Sequence, residues 1–214
     1  MARSLRQYFA GTKFGSFVAP AILFILLLYF YVNGALFFGA LWTSFQPVII
    51  LYVILLMAAF VLAPKLLTTD PTAPLWLELV AYVIPAIVLN AILFFAGIRA
   101  NLGPTSTNVL PVILLQIAVT GTEEIFFRGM FHARTSEQGA PLWFAVLLSS
   151  GVFAAFHAYA YSLALVSAGF AFVAGALFYL IYNATKDKYG LAINSGLHLG
   201  YNLALMGVFL LGLL

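Results

Sequence analysis

Two glutamates and an arginine stand among phenylalanines in the segment TGTEEIFFRGMF, residues 120–131. Glu124 and Arg128 are four residues apart, so on a helix they share a face and can form an ion pair. Glu123 lies about 100° further round such a helix and points elsewhere. One carboxylate is therefore neutralised within its own helix, whereas Glu123 has no adjacent partner there. Glu123 is the stronger candidate for a general base.

Two further strings carry the other groups that could support hydrolysis. In HLGYN, His198 and Asn202 repeat the four-residue spacing, so their side chains project from one helix face. An imidazole and a carboxamide side by side can supply two hydrogen-bond donors to a developing oxyanion. In FAAFH, the same spacing places Phe153 beside His157, and the phenylalanine ring would wall a pocket that the imidazole enters.

Each of these groups also has a purely structural interpretation. The Glu124–Arg128 pair can lock two helices together, and His198 with Asn202 can act as polar contacts between helices. Glu123 can be protonated and bonded to a neighbouring helix. A lone histidine near a membrane boundary, such as His157, is more often interfacial than catalytic. The combination favours function, because ionisable groups are rare within membrane spans and usually face the bundle interior.

The chain that must position these groups is strongly apolar. It has 214 residues, of which 64% are hydrophobic and 7% charged, and its mean hydropathy is +1.10. About 20 apolar residues cross a bilayer as a helix. Seven such runs are predicted, at residues 17–42, 47–64, 75–98, 108–131, 141–158, 160–184 and 190–213. We predict an all-α polytopic transmembrane bundle of about seven spans, with residues 1–214 forming one domain and residues 108–213 its four-helix catalytic core.

Most of the basic residues fall between spans that would face the same side of the membrane. These are Arg3, Arg6, Lys13, Lys65, Arg134, Lys186 and Lys188, and only Arg99 falls on the opposite side. Because cytoplasmic loops are enriched in Lys and Arg, the N-terminus is predicted to be cytoplasmic and the site to open toward the cytoplasm. A net charge of +3 spread over membrane flanks predicts no nucleic-acid partner.

Three other designs of intramembrane protease are absent from the sequence. A zinc metalloprotease would show the string H-E-x-x-H, which does not occur. Two intramembrane aspartates would be needed for an aspartyl protease, but Asp70 and Asp187 both lie in predicted loops. A serine protease of the rhomboid type needs Gly-x-Ser-Gly, which is also missing, and the lack of cysteine excludes a thiolate nucleophile. A glutamate-based site remains. Glu78 and Asn90 are secondary candidates, and His132 is assigned to the membrane interface.

The three strings resemble the motifs of one known family, the CAAX-protease and bacteriocin-processing (Abi) family. EEIFFRG resembles its E-E-x-x-x-R motif, FAAFH its F-x-x-x-H motif and HLGYN its H-x-x-x-N motif. They occur in the expected order, with gaps of about 30 and 40 residues. The resemblance covers residues 120–205, whereas residues 1–105 carry no signal of the family. It implies an intramembrane glutamate protease similar to the type II CAAX prenyl endopeptidases.

The resemblance implies a role for each matching position. Glu123 would activate the attacking water with help from His157, and Glu124 with Arg128 would hold the geometry and electrostatics of the site. The oxyanion hole would be formed by His198 and Asn202. No metal, other cofactor or covalent intermediate is implied.

The expected substrate is a membrane-anchored protein or peptide, cleaved at the cytoplasmic face of what is expected to be a bacterial cytoplasmic membrane. One alternative is a non-catalytic peptide-binding or bacteriocin-immunity protein on the same scaffold, which would tend to lose at least one catalytic position. Another is a transporter with a proton path along the glutamates, which would need polar groups at more than one depth.

Overall fold

The described part of the chain is helical throughout, as predicted for an all-α bundle. The computed structural model describes residues 14–39, 42–62, 73–98, 109–160 and 165–213, and no strand occurs among them. The helices are α1 (Phe14–Phe38), α2 (Trp42–Leu62), α3 (Leu75–Phe95), α4 (Val109–Glu123), α5 (Phe131–Glu137), α6 (Leu142–Ala160), α7 (Leu165–Tyr189) and α8 (Ala192–Leu205). A π-helical segment, Glu124–Met130, joins α4 to α5 without a break, and a short 3₁₀ turn, Leu210–Leu213, ends the described chain.

Five of these helices are long and apolar enough to cross a membrane. They are Pro20–Phe38, Trp76–Phe95, Val109–Glu137, Leu142–Tyr159 and Ser167–Tyr189, with the shorter apolar helix Gln46–Leu62 beside them. Their outer surfaces are apolar: Leu36 is 80% exposed and Val61 is 76% exposed. Exposing such surfaces to water is unfavourable, whereas lipid chains solvate them. The chain is an integral membrane protein. Of the charges used to predict its orientation, Arg3, Arg6, Lys13, Lys65 and Arg99 lie outside the described residues, as does Asp70.

Helix α8, Ala192–Leu205, is shorter than the span predicted at residues 190–213. Helix α8 has 14 residues, or about 21 Å, against a hydrocarbon core of about 30 Å. The chain turns at Gly207, whose φ of 74° is accessible to glycine without strain. Asn90 of α3 secures this turn, because its amide donates to the Val208 carbonyl and its side-chain oxygen accepts from the Leu210 N–H. Asn90 therefore has a structural role that the sequence analysis did not anticipate.

Two glycines of α8 allow this helix to pack closely against α3. A Cβ added at Gly196 would lie 2.1 Å from the Tyr82 carbonyl oxygen, and one added at Gly200 would lie 2.3 Å from that of Ala86. Small residues four apart let two membrane helices approach until their backbones touch. This close approach sets the height and rotation of α8, and with them the positions of His198 and Asn202.

Replacing Gly200 with alanine is expected to destabilise the protein by about 1–3 kcal/mol, because the new methyl group can be accommodated only by separating two backbones. Gly169→Ala on α7 is the matched control, since nothing lies within 4 Å of a Cβ added there. The measurement is thermal unfolding in detergent. Equal melting temperatures for the two variants would contradict the packing described.

Candidate active site

The first motif lies on a helix that changes its winding at the site. The sequence predicts a continuous α-helix here, but residues Glu124–Met130 are π-helical. A π turn contains an extra residue per turn and is frequent at functional sites. Glu124, Phe127 and Arg128 all point into the protein. Ser149 of α6 supports the segment, because its hydroxyl donates a hydrogen bond of 2.5 Å to the Phe127 carbonyl.

Glu124 forms the predicted ion pair with Arg128 and has two further partners. Its Oε1 lies 3.1 Å from Nη1 of Arg128, and both side chains are fully buried. His198 places Nδ1 at 2.8 Å from the same oxygen, and Asn194 donates from Nδ2 to Oε2 at 3.0 Å. Asn194 also donates to the Phe178 carbonyl, so its amide is held on two sides. The Glu124 carboxylate is therefore tied to α8 as well as to its own helix.

Arg128 is enclosed by aromatic rings as well as by Glu124. Its guanidinium carbon lies 4.3 Å from the centre of the Phe153 ring and 5.3 Å from that of Phe178. A cation over an aromatic face is attracted by the negative charge of the π cloud, more strongly where water is excluded. Phe153 also packs against the His157 ring, with centroids 4.1 Å apart. The phenylalanine of the second motif thus connects the ion pair to His157.

Glu123 is almost completely buried, at 1% exposed, and meets three other helices. Its Oε1 accepts a hydrogen bond from the Tyr52 hydroxyl of α2. The same oxygen lies 3.7 Å from Nε2 of His157 on α6, and Oε2 lies 3.3 Å from Nε2 of His198 on α8. The carboxylate without a partner on its own helix therefore has its partners on other helices.

A hydrogen bond to the backbone determines which nitrogen of the neutral His157 ring carries the hydrogen. Its Nδ1 lies 2.9 Å from the Phe153 carbonyl oxygen. Because a carbonyl only accepts, Nδ1 carries the hydrogen, and in the neutral ring Nε2 directs its lone pair toward Glu123. His157 has a side chain 16% exposed, against 1% for Glu123. Of these two side chains, His157 is therefore the more accessible from outside the protein.

His198 and Asn202 project from the same face of α8 but contact different groups. His198 bridges the two glutamates, with Nδ1 toward Glu124 and Nε2 toward Glu123. Asn202 donates from Nδ2 to Oε1 of Gln116 on α4 at 3.0 Å. The structure therefore brings five of the six candidate residues into one connected cluster and places Asn202 on the same helix face, four residues beyond His198.

Three residues of this region were missed by the sequence analysis: Tyr52, Gln116 and Asn194. Gln116 and Asn194 are buried polar side chains within membrane-spanning runs, and that signal was available from the sequence. Tyr52 gave no such signal, because the chain contains 11 tyrosines and a tyrosine in an apolar run is ordinary. Its position opposite Glu123 follows only from how α2 packs.

The remaining candidates lie apart from this cluster. Glu78 is in the first turn of α3. His132 on α5 contacts the Tyr179 hydroxyl at 3.2 Å and Ser136 at 3.4 Å. Among the described residues, no group of three or more His, Asp or Glu side chains is arranged to hold a metal ion. The absence of a metal from the reaction stays a prediction.

Comparison with known proteins bears on the part of the chain that carries this cluster. Residues 104–204 match a family model described as type II CAAX prenyl endopeptidase Rce1-like. The matched range contains the three motifs, so the resemblance seen in the sequence is confirmed. Neither the curated proteins nor the solved structures include a significant match.

Proposed function

We propose that this chain, an integral membrane protein whose residues 104–204 belong to the type II CAAX prenyl endopeptidase Rce1-like family, is an intramembrane endopeptidase. The observation that carries the proposal is the contact of one buried carboxylate, Glu123, with two histidines from different helices. General-base catalysis needs one group that takes a proton from the water and a neighbouring group that orients the water. The substrate would be a membrane-anchored protein or peptide.

The proposed attacking water lies between Glu123 and His157. The nearest atoms of these residues, Oε1 and Nε2, are 3.7 Å apart and are both acceptors when His157 is neutral. A water between them can donate one hydrogen to each and direct its lone pairs outward, toward a substrate carbonyl. The water oxygen bonds to the carbonyl carbon and gives one proton to Glu123, and that proton passes to the peptide nitrogen as the C–N bond breaks. The second proton of the water stays on the new carboxylic acid and is released to solvent when the acid ionises. The products are a carboxylate and an amine.

The proposed oxyanion donors are His198 and Asn202. His198 donates from Nδ1 to Glu124, so donation from Nε2 requires a ring protonated on both nitrogens. A carboxylate lies beside each nitrogen of this ring, Glu124 at 2.8 Å from Nδ1 and Glu123 at 3.3 Å from Nε2. Asn202 uses one amide hydrogen for Gln116 and keeps a second, because a carboxamide has two donors. Preorganised donors of this kind contribute about 10²–10³ in rate each.

The proposed orientation places the site near the cytoplasmic end of the bundle. Arg134 lies in the last turn of α5, directly after the first motif, and Lys186 with Lys188 lie in the last turn of α7. Basic residues at span ends favour the cytoplasmic side. A substrate held there would expose its scissile bond close to the membrane surface.

The test is a comparison of peptide termini in membranes from cells expressing the wild type or His157→Ala. We expect new N-termini beside membrane-anchored segments only with the wild type, because His157 orients the proposed water. Tyr159→Ala, which changes a residue that is 79% exposed on the same helix, is the matched control and should leave the termini as in the wild type. Identical termini in all three samples would contradict the endopeptidase and favour a binding protein.

A further inference from the structure

One polar residue of the cluster lies outside the family-matched range. We propose that Tyr52 of α2 is a positioning residue for Glu123, so that the hydrolytic site is incomplete without the N-terminal helices. The inference rests on the proposed function, because it assigns Tyr52 the task of orienting the general base. It gives a role to part of residues 1–105, which carry no motif of the family.

The contact between Tyr52 and Glu123 is direct and buried. Tyr52 is 1% exposed, and its hydroxyl donates to Oε1 of Glu123. This is also the glutamate oxygen nearest to Nε2 of His157. A hydrogen bond to an ionised acceptor is about twice as strong as a neutral one. Tyr52 therefore acts on the oxygen that faces the proposed water.

Packing fixes the Tyr52 ring independently of its hydroxyl. The ring meets that of Phe156 edge to face, with centroids 5.6 Å apart, and Phe156 is the neighbour of His157 on α6. Seven residues beyond Tyr52, Ala59 packs with Met130, which lies seven residues beyond Glu123. Two contacts at the same spacing on both helices indicate that α2 lies alongside the first motif in a fixed register.

The consequence for the reaction is one of orientation. A carboxylate on a flexible glutamate side chain can rotate, whereas one bonded to an anchored phenol has one oxygen fixed in place. General-base catalysis is sensitive to such geometry, and displacement by about 1 Å can lower the rate by a factor of about 10². Tyr52 contacts Glu123 from α2, whereas His157 is the more exposed of the two residues proposed to hold the water. Substrate binding should therefore depend little on Tyr52.

The test uses Tyr52→Phe, which keeps the ring and its packing and removes only the donor. Tyr31→Phe on α1 is the matched control, because this tyrosine packs against the same apolar core. In liposomes, with a synthetic peptide that spans a cleavage site found only with the wild type, Tyr52→Phe is expected to lower kcat about tenfold. Its KM should stay within about twofold, and Tyr31→Phe should match the wild type in both constants.

A second measurement separates this inference from the proposed function. The infrared carboxylate band lost in Glu123→Gln should shift when Tyr52→Phe is introduced and should not shift with Tyr31→Phe. An unshifted band, or an unchanged kcat for Tyr52→Phe, would overturn the positioning role. If Tyr52→Phe shifts the band but the wild-type protein cleaves no peptide, the endopeptidase is overturned and the hydrogen bond is retained. The band reports the bond without any turnover.

Discussion

Glu123→Gln is expected to reduce peptide hydrolysis by about 10³-fold in a protein that still folds. Glutamine has the shape of glutamate, and its side-chain oxygen can still accept from Tyr52. It cannot take a proton from water, so the proposed base is lost and the packing is kept. Single-turnover cleavage of a membrane peptide in liposomes measures the rate, and thermal unfolding in detergent measures the stability.

The control for Glu123→Gln is Glu137→Gln on α5. Glu137 belongs to an exposed ion pair with Arg134, at 3.2 Å, so this change removes the same charge at the surface. Its turnover should stay within about twofold of the wild type, because an exposed charge has little influence on a buried site. Wild-type turnover in Glu123→Gln would show that another group takes the proton.

Arg128→Met is expected to lower the free energy of unfolding by about 3–5 kcal/mol. Methionine keeps the apolar contact with Phe153, but it leaves the fully buried Glu124 without the arginine that neutralises its charge. A charge in that position cannot regain its solvation from water or lipid. Equilibrium unfolding in mixed detergent, followed by tryptophan fluorescence, gives the free energy.

Two further variants make the Arg128 prediction specific. Arg134→Met removes the same side chain from an exposed pair, where the arginine is 46% exposed, and should cost at most about 1 kcal/mol. The double variant Glu124→Gln with Arg128→Met removes both charges and should recover part of the stability lost by Arg128→Met alone. A single Arg128→Met variant as stable as Arg134→Met would contradict a structural role for the buried pair.

Several features of the site were predictable because they depend on neighbours along the chain. The spacing of Glu124 and Arg128 predicted their ion pair, and that pair is present despite the change to a π-helix. The number of apolar runs predicted a helical membrane protein. The π-helix itself was not predictable, because its support includes a hydrogen bond from Ser149 on another helix.

Partners across helices were not predictable in the same way. The pattern left Glu123 without a partner and grouped His198 with Asn202. In the structure Glu123 contacts α2, α6 and α8, and His198 lies between the two glutamates. The contacts of His198 depend on how closely α8 approaches α3 at Gly196 and Gly200, and the sequence does not show which helix those glycines pack against.

The sequence by itself determined the membrane solvent, the helical class and the residues that could do chemistry, because hydropathy and helical phase are local properties. The tertiary structure decided which oxygen of Glu123 faces His157, and that Tyr52, Gln116 and Asn194 complete the polar network. In lipid, a buried polar group needs a partner within the protein, and helix packing determines where that partner lies. The proposed base was visible in the sequence, whereas its orientation emerged only when the helices were packed together.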